Sequence, residues 1–487
     1  MWGGESAKAS GDACVAPMHR ARMMQYGTGA SRRDRRGADH WHRATAAYTG
    51  RIGPVGREGG RCGQNDCHSP VRAVSELPRR AEVVVVGGGP AGAATAWALA
   101  RNGIDTLILD REPFPRRKPC AAYLSPQATR ILHEMDAVDE LLAAGAAKLS
   151  GMRVHAMEGV AFEGRFEAAH GFRAFSNHGL AVRRDLLDAV LLARARAAGA
   201  RVVEAVTVED VECDHRGRAV GVTVRSSDAT RRVDARIVVG ADGVRSVVAR
   251  RLGLARQLHW PTRAAFVAHY AGVAGIGDCG EMHIFNDGYC GLTDVGCGVT
   301  NVSIVLPERT ARAADGNAKA FCSAWIAAHS SLASRFTNAT GVSAVQAVGP
   351  FGARARSACA PGAALVGNAA DVYDPFTGEG MYAALRGGEL LAPYVIESLR
   401  ATDARAHEPL EAYDRCRRHE FGGKWRVARL ASIAVASPPL LHLLARRLRD
   451  RRDLADLIVG VAGDFVPARE ILNLRFAMQL LAPSFGS

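Results

Sequence analysis

Three glycines and one aspartate carry the clearest chemistry in the sequence. Gly87, Gly89 and Gly92 stand as G-x-G-x-x-G, and Asp110 follows further along. Gly87 permits a tight turn, Gly89 lets backbone approach a pyrophosphate, and Gly92 lets a helix pack closely on a strand. A carboxylate at position 110 accepts hydrogen bonds from ribose hydroxyls and disfavours a 2′-phosphate there. These residues need particular elements around them. Val83 to Val86 is an apolar β-branched run, the pattern of a strand buried on both faces. Ala93 to Asn102 reads as an Ala-rich helix, whose N-terminus offers free N–H groups and partial positive charge to phosphates. Thr106 to Leu109 reads as a second strand that ends at the acid. A glycine-rich turn alone is a common loop; strand, glycines, helix, second strand and terminal acid together make a dinucleotide site.

Further along, Ala235 to Gly243 is a strand ending in Gly-Ala-Asp-Gly, and Ala363 to Asp371 leads into Pro375-Phe-Thr-Gly-Glu-Gly-Met381. Between them, Val182-Arg-Arg-Asp-Leu-Leu-Asp188 opens a helix. In this order the segments resemble the FAD-dependent monooxygenase superfamily of the p-hydroxybenzoate hydroxylase type. The closer resemblance is to its geranylgeranyl-reductase-like branch, through Arg117-Lys-Pro-Cys-Ala-Ala-Tyr-Leu-Ser-Pro126 and Asp374 to Gly380. It covers roughly residues 81 to 391.

The resemblance implies FAD as cofactor, with Gly87, Gly89, Gly92 and Asp110 on its ADP half. It implies Arg184 reaching the cofactor, a surface ion pair being the alternative, and Asp242 and Gly243 near the pyrophosphate. Gly367 and Asn368 take the place of a Gly-Asp pair on the ribityl chain; Asn keeps hydrogen-bonding capacity without the charge. Pro375, Gly378 and Gly380 would border the flavin ring, with the helix from Gly380 aiming its positive end at the pyrimidine edge. Gly387 and Gly388 lie inside that helix, where each costs about 1 kcal/mol relative to Ala, so close packing or a helix break is expected. Cys120 would border the flavin and substrate cavity, with Ala121 in place of the branch's Gly. A buried structural thiol is an equal reading of Cys120.

The fold expected is α/β: a Rossmann-like FAD-binding domain from discontinuous segments (79–254 and 348–398), an antiparallel substrate sheet (255–347) and a C-terminal helical region (399–487). Tyr289 and His283 are the polar aromatic candidates for substrate contact, with ordinary sheet residues as the simpler reading. Function divides into an NAD(P)H-using monooxygenase acting on a small lipophilic, aromatic or polyketide-like molecule, the preferred reading, and a double-bond reductase of the geranylgeranyl reductase type. A flavin-binding protein without turnover ranks third. The Trp-x-Trp motif of flavin halogenases is absent, since no two of the six tryptophans stand two apart.

The chain of 487 residues carries 62 basic against 49 acidic residues, a net charge of +13. Residues 1–80 hold 13 arginines and one lysine against seven acids, so over half the excess lies there. Residues 1–78 lack hydrophobic periodicity and read as a disordered basic extension. Aromatics are too sparse there for a nucleic-acid-binding arm, and no nucleic-acid partner is expected. Cys62, Cys67 and His68 match no common zinc spacing, and no metal is expected. Eleven scattered cysteines and the lack of an apolar signal core suggest the cytoplasm. Leu430 to Ala445 is uncharged but broken by Pro438-Pro439, too short to span a bilayer, and Arg446, Arg447, Arg449, Arg451 and Arg452 follow. Such a segment suits peripheral contact with an anionic membrane, but a helical cap with a solvated face is the preferred reading.

Overall fold

The computed structural model describes residues 77–481, apart from 157, 158, 168, 227, 228 and 261. The expectations for residues 1–76, including most of the basic extension and Cys62, Cys67 and His68, lie outside the described residues. The structure is mixed α/β, with two large sheets between which the chain passes repeatedly.

Strand β1 (Arg80–Val86) opens the first sheet, with Val83, Val84 and Val85 fully buried. Helix α1 (Pro90–Arg101) follows with Pro90 at its first position, where the missing N–H is no loss. Strand β2 (Thr106–Leu109) then lies parallel to β1. The chain leaves for the second sheet as β3 (Gly151–His155) and β4 (Ala161–Arg165). It returns through α2 (Arg184–Ala197), β5 (Arg201–Val203) beside β2, and β6 (Ala229–Gly240) on the other side of β1. The second sheet is completed by β7 (Arg263–Ala271), β8 (Cys279–Phe285), β9 (Gly288–Asp294) and β10 (Val299–Pro307). Strand β11 (Ala363–Leu365) rejoins the first sheet parallel to β6. Five α-helices finish the described chain: α3 (Gly380–Arg400), α4 (Glu408–Ala436), α5 (Pro438–Asp450), α6 (Arg452–Ala462) and α7 (Leu474–Leu481).

The core of the first sheet is the parallel set β5-β2-β1-β6-β11, whose strands are discontinuous in sequence as expected. In the second sheet β7, β10, β9 and β8 are antiparallel neighbours, and β3 continues it parallel to β8, with β4 outermost. Residues 151–165, counted with the first sheet from sequence, therefore belong to the second. One face packs Ala265, Met282, Ile284 and Val305 against Leu441, Leu448 and Leu454 of α5 and α6. The other packs Phe266, Leu292 and Ile304 against Cys322, Trp325 and Ile326. The sheet thus buries apolar side chains on both faces.

Helix α3 runs unbroken through Gly387 and Gly388. A Cβ on Gly388 would stand 2.7 Å from the Thr95 backbone nitrogen of α1, and one on Gly387 2.9 Å from Val366 Cγ2. Close packing on α1 and β11, not a helix break, accounts for the pair.

Candidate active site

The glycine turn after β1 is built for close approach. Gly87 has φ +102°, and a Cβ there would meet Ala241 O at 2.6 Å; one on Gly92 would meet Gly87 O at 1.9 Å. Asp110, at the end of β2, ties this turn down. The Gly88 N–H donates to its Oδ2 at 2.7 Å and the Glu112 N–H to its Oδ1 at 3.0 Å. A carboxylate accepts about four hydrogen bonds, so capacity remains for ribose hydroxyls.

Arginine and lysine gather beside the turn. Arg184 opens α2, buried, with two bonds of 2.7 Å to Asp188. It is a buried ion pair, not a surface one. Burial opposes its charge, but Asp188 and the nearby Cys120 thiol hold Arg184 protonated. Arg116 reaches Asp110 at 3.5 Å and Asp188 at 3.4 Å. Lys118 is enclosed too: burial first, then Arg184 and Arg116, push its ammonium down to about 8. Three cations thus face two carboxylates at a helix N-terminus, a surplus that suits a pyrophosphate. Arg116 and Lys118 were given no role from sequence; the signal was the basic run Arg116-Arg117-Lys118 soon after the second strand.

Asp242 is used locally, its Oδ2 accepting from the Val247 N–H at 2.6 Å, while the adjoining Gly243, at φ +84°, lines the cavity. Asp242 Oδ1 is buried without a partner. Gly367 has φ +60°, and a Cβ there would stand 2.8 Å from Ala91 Cβ, so the turn after β11 lies against the start of α1. Asn368 lines the cavity.

The Asp374 to Gly380 loop closes one side. Asp374 is buried and fully employed: its Oδ1 accepts from Phe376 N–H at 3.0 Å and Tyr289 O–H at 2.6 Å, and its Oδ2 from Ser432 at 3.1 Å, with Arg263 2.8 Å away. Pro375 begins a short 3-10 turn, and Gly378, at φ +70°, would clash with the Tyr123 ring at 2.8 Å if it carried a Cβ. Gly380 then opens α3 toward the cavity. Glu379, between them, was not singled out from sequence. It is partly buried with Oε1 enclosed and unpartnered. Burial pushes its carboxyl up to about 8 against the pull of Lys424, with Asp464 adding.

These groups surround one cavity of about 250 Å³. Cys120, Arg184, Gly89, Gly243, Asn368, Pro375, Gly378 and Gly380 all line it. Its opposite wall is largely apolar, from Ala265, Val267, Met282, Val305, Val348 and Phe351, with the Ser303 hydroxyl among them. Tyr289 lines it by its ring, but its hydroxyl is committed to Asp374, so the side chain positions the loop. His283 is not among the lining residues, a correction to its candidacy. Alternation along β8 sends Met282 to the cavity and His283 to the far face, where its Nε2 lies 2.8 Å from Glu281 Oε2 and its ring stacks on His155. His155, Glu281 and His283 are close enough for a shared ion. Arg335 already occupies that place, bonded to Glu281 and 3.1 Å from His283.

Parallel sheet, glycine turn, ribose acid and cationic corner define an FAD-dependent oxidoreductase, and the residues fit FAD: the glycine cradle leaves no room for Cβ atoms and the anion corner is preformed. Residues 80–424 match the family described as FAD binding domain, and the chain belongs to that family, in its geranylgeranyl-reductase-like branch. It is 30% identical over 389 residues to digeranylgeranylglycerophospholipid reductase 2 of Methanopyrus kandleri, covering 78% of this chain and 93% of that one. It is also 30% identical to the menaquinone reductase of Mycobacterium tuberculosis, over 79% of this chain and 91% of that one. Among solved structures, a geranylgeranyl bacteriochlorophyll reductase-like protein of Thermoplasma acidophilum aligns with a TM-score of 0.65 at 22% identity, covering 84% and 97%. A myxobacterial chondrochloren halogenase aligns with a TM-score of 0.65 at 24% identity, covering 72% and 82%. These two likenesses speak to the fold.

Proposed function

We propose that this oxidoreductase reduces carbon–carbon double bonds in an isoprenoid lipid. The observation that carries the reading is the apolar wall facing the Pro375 to Gly380 loop. It offers a methyl-branched hydrocarbon chain a largely apolar surface, with Ser303 its one hydroxyl, whereas a hydroxylase substrate with several polar substituents would strand them there. The reductase names among the relatives support the same choice, which reverses the preference drawn from sequence for a monooxygenase.

Saturating an alkene requires one hydride and one proton. FAD, when bound, supplies the hydride, and NAD(P)H is the proposed source of electrons. The chain's own residues do the rest. Arg184, Lys118 and the start of α1 hold the pyrophosphate, and the Tyr289–Asp374 bond fixes the loop. Glu379, protonated at neutral pH, holds a proton at the cavity's edge. Exposed Leu430, Ile433, Leu440 and Leu443 on α4 and α5, with Arg446 and Arg447 following, form the side from which a lipid enters off an anionic membrane surface. Among the described residues no single helix is long and apolar enough to cross a membrane.

The test is anaerobic. Enzyme reduced with dithionite is mixed with a geranylgeranyl lipid, and product mass is followed. A gain of two hydrogens per double bond, with return of the oxidised flavin spectrum, is expected. No anaerobic turnover, together with oxygen-dependent insertion of one oxygen atom, would replace this reading with the monooxygenase.

A further inference from the structure

A second pocket, of about 500 Å³, adjoins the flavin cavity and shares Tyr373 and Trp425 with it. Basic side chains crowd it, beside Leu258 and Trp260. Five arginines line it: Arg256, Arg354, Arg418, Arg426 and Arg429. Three of these come from α4, where Gly422, Trp425, Arg426 and Arg429 fall four, seven, eight and eleven residues after Arg418 on a single helical stripe. The other two come from the chain after Leu254 and from the strand Ala353–Arg354.

The charges are only partly balanced within the protein. Arg418 lies 2.7 Å from Asp414, and Arg354 lies 3.7 Å from Asp371. Arg256, Arg426 and Arg429 have no acidic partner among the described residues. No acidic residue lines the pocket. The rings add direction. Trp425 takes the Arg354 guanidinium on its face at 4.6 Å, and Tyr373 lies 5.9 Å from Trp425. This ring pair stands where the basic pocket meets the flavin cavity.

We infer that this arginine pocket holds the phosphate or diphosphate head of the isoprenoid substrate, whose hydrocarbon chain passes Tyr373 and Trp425 into the flavin cavity. The inference rests on the reading of the enzyme as an isoprenoid reductase and deepens it, choosing a phosphorylated amphiphile over a neutral quinone. Guanidinium forks suit a phosphate's several oxygens, and three of them without an acidic partner around one pocket exceed what an uncharged ring would use. The adjoining pockets also place anionic and hydrocarbon ends at opposite sides of one aromatic neck, the polarity of a prenyl phosphate. Head-first anchoring would set how far along the chain a double bond reaches the flavin side.

The test is binding without turnover, so it stands apart from whether the enzyme reduces alkenes. Oxidised holoenzyme is titrated with geranylgeranyl diphosphate, geranylgeraniol and inorganic pyrophosphate, read by tryptophan fluorescence. The diphosphate is expected to bind at least about tenfold tighter than the alcohol, as charge-assisted bonds of this number imply. The Arg426→Ser/Arg429→Ser double variant should lose that preference while keeping its FAD content and melting temperature. Both residues are exposed, so the fold does not depend on them. Equal affinity for diphosphate and alcohol, or a preference that survives the double variant, would overturn the inference. Pyrophosphate binding as tightly as the prenyl diphosphate would overturn the link to the chain, leaving a free-anion site. Loss of sedimentation with phosphatidylglycerol vesicles in the double variant, with the diphosphate preference intact, would assign the arginines to a bilayer surface instead.

Discussion

At the scale of single residues, environment separates groups that look alike in sequence. Asp110, Asp242 and Asp374 each follow a strand or begin a loop. Asp374 is spent on four neighbours, Asp242 caps a short helix, and Asp110 keeps lone pairs for a ribose while holding the Gly88 N–H. Asp110→Ala should therefore weaken FAD by about 1.5–3 kcal/mol, the range for a charge-assisted bond, measured by flavin fluorescence titration. Unchanged affinity would remove Asp110 from the site. Glu379 gives a second expectation. Its raised carboxyl is protonated below about 8 and loses the proton as pH rises through that value. If it holds the proton for alkene reduction, turnover should fall above about pH 8. Glu379→Gln should lower kcat on the order of a hundredfold and abolish that limb of the pH profile. A profile unchanged in the variant would assign the proton elsewhere. The glycines and Asp110 were legible in the sequence because backbone geometry dictates their type. Glu379 was not, because only enclosure alters its chemistry. His283 misled because both faces of β8 are buried, so alternation could not tell which face meets the cavity.

At the scale of elements, contact between helices explains what propensity alone opposes. Replacing Gly388 by Ala would gain about 1 kcal/mol in an open helix. Here the new Cβ meets α1 backbone at 2.7 Å, and overpacking of this kind costs about 1–3 kcal/mol. Gly388→Ala should lower the melting temperature, while Gly422→Ala in α4, whose Cβ would meet nothing within 4 Å, should raise it. Differential scanning calorimetry of the two variants compares them directly; a stabilised Gly388→Ala would mean α1 and α3 are packed less closely. Elements that carry their own signal were readable: β1 with its valines, α1 with its glycines, and α3 after the Pro-Phe-Thr-Gly-Glu-Gly loop. Strands β3 and β4 were assigned to the wrong sheet because β3 joins β8 in parallel from more than a hundred residues away, and β4 pairs with β3. A short strand's local pattern shows that it pairs, not with which partner.

At the scale of the whole molecule, the order of segments shows the architecture and the closing helices give it a function. The first sheet is assembled from strands scattered between β1 and β11, and each return brings a turn to the same cleft, through Gly89, Gly243 and Asn368. Helices α5 and α6 then cover one face of the second sheet, which leaves the cavity walled by that sheet, the Pro375 loop and α4. All of this lies within Leu77–Ser487, which forms a compact unit by itself with Leu77 buried. Every residue given a role in holding FAD or substrate falls inside it. Protein beginning at Leu77 should therefore fold, purify yellow and bind FAD with the affinity of the full chain. Removing residues 1–76 also removes 12 basic and seven acidic residues without touching the arginine pocket, so preference for geranylgeranyl diphosphate over geranylgeraniol should persist. Flavin content after gel filtration and the same fluorescence titration measure both. Loss of FAD would mean that the first 76 residues complete the fold, and loss of the diphosphate preference alone would move the head-group charge from the pocket to that segment.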